Sequence, residues 1–204
     1  MYVFYGEITY QETMPATQLR LQPGRVYRTR DLRKWGKNPT RLAARLVREG
    51  GLEKLQNGLY YRPKESSFGP VPPNTAEILR AFFAGSAYLV TGSACWNELG
   101  LGVTAVLAYP LVYNTTRTGL LRIGRKKFLL RRVRFPEKPP REWFAIDLIE
   151  NRDLAGVSLA ELEEGLRRAF RARRLDAARL QEMADGYGTR ETQALVERAR
   201  RFGV

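Results

Sequence analysis

Between residues 29 and 62 the spacing of apolar positions changes from helical to alternating, and that change defines the first recognisable module. In Lys37-Asn-Pro-Thr-Arg-Leu-Ala-Ala-Arg-Leu-Val-Arg-Glu-Gly50, helical geometry at about 100° per residue gathers Leu42, Ala43, Leu46 and Val47 on one side. Arg41, Ala44, Arg45 and Arg48 fall on the other. Asn38 suits an N-cap and Pro39 the first helical position. Thr29-Arg-Asp-Leu-Arg-Lys-Trp-Gly36 predicts a short preceding helix, with Thr29 as cap, Asp31 in the first turn, and Leu32 and Trp35 facing the apolar stripe. Leu52 to Arg62 predicts a hairpin with Asn57-Gly58 at its tip. Arg25-Val-Tyr-Arg28 reads as a short strand, with one of Tyr60 and Tyr61 in the core and the other exposed. Residues 1–24 hold a strand-like start and a helical pattern over Thr13 to Leu21.

The rest of the chain is more irregular. Ser66, Ser67, Gly69, Pro70, Pro72 and Pro73 crowd into a linker-like composition. A helix over Thr75 to Ala84 follows, with Ile78, Leu79, Phe82 and Phe83 as its stripe. Strands are expected over 88–90, 105–116, 120–123 and 127–135, the last two joined by a turn at Gly124-Arg125, with a helix over 92–99. Beyond Pro139-Pro140 the pattern is helical. Ser158-Leu-Ala-Glu161 is a capping box opening a helix with Leu159, Leu162, Leu166 and Phe170 on one face, and further helices cover 176–184 and 189–202. The expected architecture is α+β: a winged helix-turn-helix over 1–64, a linker over 65–74, and a mixed domain over 75–204 whose last part, 141–204, is helical.

Charge sharpens this reading. The formal net charge is +14. Residues 1–64 carry 13 Lys+Arg against 5 Asp+Glu, residues 65–140 carry 10 against 4, and residues 141–204 carry 12 against 12. A polyanion-binding surface is therefore expected in the first two thirds. The chain has no histidine and one cysteine, Cys95. Ser-His-Asp and Cys-His catalysis, zinc fingers and HExxH sites are excluded, and no intrachain disulfide can form. No phosphate-binding glycine loop is present. No apolar stretch is long enough to span a bilayer, and Met1-Tyr-Val-Phe-Tyr-Gly-Glu7 does not read as a signal peptide, so a cytoplasmic protein without metal or cofactor is expected.

The candidate DNA-facing set is Thr29, Arg30, Lys37, Asn38, Thr40, Arg41, Ala44, Arg45 and Arg48, with Lys54, Gln56, Asn57 and Arg62 from the hairpin. Arginine suits this role because its planar fork reads both phosphates and guanine edges. A second basic patch comprises Arg125, Lys126, Lys127, Arg131, Arg132 and Arg134. It reads equally as a nucleic-acid contact, a dock for an acidic partner, or a charged strand edge. Arg167, Arg168, Arg171, Arg173 and Arg174 follow Glu161, Glu163 and Glu164 at pairing distance and read as solvated. Glu142, Asp147, Glu150 and Asp153 read as exposed helix carboxylates, Thr91 as a helix cap and Cys95 as packing. The chain is not expected to be an enzyme.

Thr29-Arg-Asp-Leu32, Leu42 to Leu46, and Gly51-Leu-Glu-Lys-Leu-Gln-Asn-Gly-Leu-Tyr-Tyr-Arg-Pro63 resemble the N-terminal winged helix-turn-helix of AbiEi-type antitoxins from type IV (abortive infection) toxin–antitoxin systems. Leu89-Val-Thr-Gly-Ser-Ala-Cys-Trp-Asn-Glu-Leu-Gly100 and Tyr187-Gly-Thr-Arg-Glu-Thr-Gln-Ala-Leu195 are similar to later segments of that family. The resemblance implies a prokaryotic, nucleoid-associated autorepressor that binds inverted repeats in its own promoter. Its rear domain would oppose a nucleotidyltransferase-like toxin, by direct contact or otherwise. The family's basic recognition helix maps onto Arg41, Arg45 and Arg48. Three other readings stay open: a stand-alone winged-helix transcription factor with a ligand-binding or dimerising rear domain, a metal-dependent nuclease with a winged targeting domain, and an RNA-binding module.

Overall fold

The computed structural model describes residues 19–201. The expected strand-like start, and all of the expected Thr13–Leu21 helix but its end, lie outside them; residues 19–21 are not helical. The protein is α+β and divides into two compact units, Met1–Ala84 and Gly85–Val204.

In the first unit, strand β1 (Val26–Arg28) runs into a 3-10 helix (Thr29–Trp35), then helix α1 (Pro39–Arg48), then strands β2 (Glu53–Gln56) and β3 (Leu59–Tyr61). The sheet order is β1-β3-β2, both pairings antiparallel. Helix α1 starts where Asn38 accepts the Arg41 N–H at 3.0 Å, with Pro39 at the first position. It stops at Gly50, whose φ of +72° lets the Gly51 N–H close back on the Leu46 carbonyl at 2.8 Å. Leu42, Ala43 and Leu46 are buried against Leu32, Tyr27, Leu52 and Tyr60. The first helix is 3-10 rather than α, so its side chains repeat every three residues.

The tyrosine, linker and boundary expectations fail in this unit. Tyr60 and Tyr61 are both buried, because β3 is the central strand: Tyr60 joins the core under α1, while the Tyr61 hydroxyl donates to the Val71 carbonyl at 2.7 Å. The linker-like segment pairs with itself as a hairpin, β4 (Lys64–Ser66) with β5 (Gly69–Val71). Helix α2 (Thr75–Phe83) then returns to β1, where Arg80 donates to the Val26 carbonyl at 3.1 Å and the Val26 N–H reaches Glu77 at 3.4 Å. The first unit thus extends to Ala84 rather than ending at residue 64, and α2 belongs to it rather than to the rear domain.

The second unit holds a four-stranded sheet, β6 (Tyr88–Thr91), β7 (Leu111–Asn114), β8 (Gly119–Ile123) and β9 (Lys126–Arg132), ordered β6-β7-β9-β8 with β7 parallel to β9. The strand expected over 105–116 shrinks to Leu111–Asn114. Helix α3 (Ser93–Asn97) follows β6; helices α4 (Arg141–Glu150), α5 (Arg152–Ala155), α6 (Leu159–Arg171), α7 (Ala177–Tyr187) and α8 (Arg190–Arg201) complete the unit. The Ser158–Glu161 capping box forms as expected: Ser158 N–H donates to Glu161 at 2.8 Å, and Glu161 N–H to Ser158 Oγ at 3.3 Å. Helix α4 buries Trp143, Ala145, Ile146, Leu148 and Ile149 in one core with Trp96, Leu166 and Leu195.

Gly165 on α6 packs directly on the chain passing Leu101, where an added Cβ would lie 2.5 Å from the Leu101 carbonyl oxygen. Gly165→Ala is expected to lower unfolding stability by about 1–3 kcal/mol, since the clash outweighs the gain in helix propensity of at most about 1 kcal/mol. Chemical denaturation checks it; an unchanged or raised midpoint contradicts the packing.

Candidate nucleic-acid interface

The outward side of α1 is where sequence spacing puts it. Arg41, Ala44 and Arg48 are exposed, as are Lys37 and Thr40 at its start. Arg45 is half-buried along its stem, and its Nε lies 3.9 Å from Glu49, a loose helical pair. Asn38 is exposed, but its side-chain oxygen is spent on the cap.

Position in the 3-10 helix decides what each of its residues can do. Leu32 faces the core; Arg30 and Arg33 are exposed on a second face. Thr29 is not the cap. Its N–H donates to the Gly58 carbonyl at 3.0 Å, which brings the Asn57-Gly58 tip beside the start of this helix. The cap is made instead by Asp31, which accepts the Arg28 backbone N–H at 2.9 Å and its guanidinium at 3.1 and 2.9 Å. Burial of Asp31 works against ionisation, but the bonds from Arg28 outweigh it and hold the carboxyl below its usual value.

On the hairpin, Lys54 and Asn57 are exposed and Gln56 is half-buried. Arg62 does not belong with them. Its Nη1 donates to the Gly51 carbonyl at 2.8 Å, tying the end of the hairpin to the end of α1, so it is withdrawn from the DNA-facing set.

The second basic patch does not form one surface, because neighbouring residues of β9 point to opposite faces of the sheet. Arg125, Arg132 and Arg134 are exposed, and Lys126 is half-buried. Lys127 lies over the Tyr109 ring, 5.3 Å from its centre. Arg131 is a structural residue, donating to Asn151 at 2.5 Å. On α6, Arg167 pairs with Glu163 and Glu164, and Arg168 with Glu164, as the spacing predicts, whereas Glu161 serves the cap.

The second unit contains a site that sequence reasoning missed. Asp147 is buried, not exposed, and Glu142 likewise. Asp147 accepts from Thr91 Oγ1 at 2.5 Å, Trp96 Nε1 at 2.8 Å, Tyr113 OH at 2.5 Å and Asn151 Nδ2 at 3.0 Å. Thr91 is therefore a buttress for Asp147 and not the helix cap; the cap position is Gly92. Desolvation pushes the Asp147 carboxyl above the usual range despite these donors, and it pushes the Tyr113 hydroxyl up as well. Both carboxylate oxygens are occupied by protein donors, so Asp147 is spoken for as a structural acceptor. Cys95 is half-buried, and burial pushes its thiol up, consistent with packing. Among the described residues, no three acidic or cysteine side chains group as metal ligands. No helix there is long and apolar enough to cross a membrane.

No protein-family model matches the chain. No curated protein matches it either. Among solved structures it is similar to the RV2827C protein from Mycobacterium tuberculosis, with a TM-score of 0.51 and 12% identity over 86% of this chain and 72% of that one. At that identity the likeness concerns the fold alone.

Two outcomes test these assignments. Asp147→Asn places an amide donor among four donors and should cost on the order of 3 kcal/mol of stability, read by denaturant unfolding; a near-neutral variant removes Asp147 as the organiser of the network. Asp31 has a depressed folded pKa, so its stabilisation is complete above the unfolded value of 3.8 and is lost as pH falls through the folded value. The stability difference between the protein and Asp31→Asn should be flat at neutral pH and shrink in acid. Because the pair stays partly open to solvent, which screens it, the difference should stay within about 1 kcal/mol. A difference that grows on acidification contradicts the pairing with Arg28.

Proposed function

We propose that the first unit is a winged helix-turn-helix and that the protein is a DNA-binding autorepressor and antitoxin of the AbiEi kind. Helix α1 would enter the major groove of inverted repeats in its own promoter. The β2–β3 hairpin would act as the wing on adjacent backbone. Arg41, Arg45 and Arg48 would meet bases or phosphates, and Arg30, Lys37, Thr40 and Lys54 would hold phosphates. Thr29 would position the wing through Gly58. One observation carries the reading: the apolar side of α1 is buried on Leu32 while Arg41 and Arg48 stay exposed beside a β1-β3-β2 sheet. The near-neutral helical rear fits a protein-contact role. Opposition to a nucleotidyltransferase-like toxin rests on the sequence resemblance, and a cytoplasmic, nucleoid-associated location goes with it.

Arg45→Ala should weaken binding to the chain's own upstream duplex by about 5- to 150-fold, the equivalent of about 1–3 kcal/mol for a lost guanine pair. If Arg45 holds a phosphate instead, the loss should be uniform over matched and scrambled duplexes, with the salt slope lower by about one. Gel shifts on both duplexes across salt concentrations decide between them, and unchanged affinity and slope on both would remove α1 from the interface. Co-expression with the adjacent gene separates the two halves of the proposal: Arg45→Ala should derepress the promoter yet still rescue growth. A duplex displaced as readily by an RNA hairpin would favour the RNA-binding alternative.

A further inference from the structure

A cavity of about 390 Å³ opens in the first unit, within the size range of small-molecule sites. One wall is the third face of the 3-10 helix, formed by Arg28, Asp31 and Lys34, with Trp35 at its end. This face is distinct from the outward Arg30–Arg33 face. The opposite walls come from the segment carrying Arg20 and Arg25 and from Arg80 of α2.

The lining charges are unbalanced. Asp31 is spent on Arg28, and Arg80 on Glu77 at 2.8 Å. Arg20, Arg25 and Lys34 are exposed and form no ion pair among the described residues. Arg25 instead donates to the neutral Gln22 side chain at 2.9 Å. The cavity therefore offers cations in excess, which suits an anion with several acceptor oxygens.

The remaining wall is aromatic. Tyr27 and Trp35 meet edge to face, ring centres 5.9 Å apart at 81°, and the Tyr27 hydroxyl is held by the Gln22 N–H at 2.7 Å. Trp35 is only half-buried and keeps surface toward the cavity. A ring stacked there would lie within reach of the cations. Concavity separates this site from the exposed arginines of α1: a duplex backbone needs an outward surface, whereas a hollow of this volume takes a compact molecule.

From the cationic excess and the aromatic wall we infer that this cavity binds a mononucleotide-class ligand, its phosphate held by Arg20, Arg25 and Lys34 and its base against Trp35. The site stands apart from the proposed recognition face, so the two can fail independently. Because Leu32 and Trp35 also pack under α1, an occupant of the cavity lies directly behind that helix.

The intact chain provides its own reporter. Its three tryptophans are Trp35, Trp96 and Trp143, and the latter two are buried in the second unit. Titration with AMP or GMP at fixed ionic strength, read by calorimetry and tryptophan fluorescence, should saturate. Affinity should be at least ten-fold above that for adenosine, which lacks the phosphate, or inorganic phosphate, which lacks the ring. Lys34→Glu and Arg20→Glu change exposed side chains, and circular dichroism verifies their folding. Each should weaken AMP or GMP at least ten-fold, while Arg45→Ala leaves it unchanged. No saturation with either nucleotide, parity with adenosine or phosphate, or equal loss in Arg45→Ala would overturn the site. Retained nucleotide binding in a protein that fails to bind duplex DNA would reject the DNA reading and leave the cavity assignment standing.

Discussion

The burial of one side of α1 on Leu32 organises the first unit. Leu32, Ala43 and Leu46 are fully removed from solvent, so the helix cannot rotate about its axis without exposing apolar surface. Its arginines are therefore outward by default, with no partner needed to hold them there. Everything proposed about groove entry depends on that orientation. The Asn38 cap, Pro39 and Gly50 set the length of the helix; the Leu32 contact sets its rotation.

The 3-10 helix extends the same logic. A period of three residues gives it three separate faces, and each has a different occupation. Leu32 is core, Arg30 and Arg33 look outward, and Arg28, Asp31 and Lys34 line the cavity. An α-helix of the same sequence would smear these residues over a continuous surface. A short, tight helix thus connects the proposed duplex surface, the core and the inferred ligand site through side chains one residue apart.

The second unit relies on a different device. Four donors, from β6, α3, β7 and Asn151 just after α4, converge on Asp147, with Arg131 of β9 attached through Asn151. A buried carboxylate is costly, but here every oxygen is satisfied and three separate strands are tied to α4. The network specifies how sheet and helices meet, in a core whose apolar residues alone would tolerate several packings. Asp147, one of the acidic residues that a metal-dependent reading would enlist, is in this way used internally.

Part of the local chemistry was readable along the chain: the Asn38–Pro39 start of α1, its two faces, the Asn57-Gly58 tip, the Ser158–Glu161 capping box and the Glu163/Glu164 pairing with arginines. Each rests on residues within four or five positions of one another, whose geometry the backbone repeat dictates. What the tertiary structure decided lies across longer separations. Arg62 is bound to Gly51, Arg131 to Asn151 and Asp147 to Thr91, and none of these partners can be inferred from composition or period. The Pro- and Ser-rich stretch after residue 64 folds into a hairpin that the Tyr61 hydroxyl holds through the Val71 carbonyl. Whether a charged side chain serves a ligand or its own fold is set by which neighbour arrives, and only the folded chain brings that neighbour.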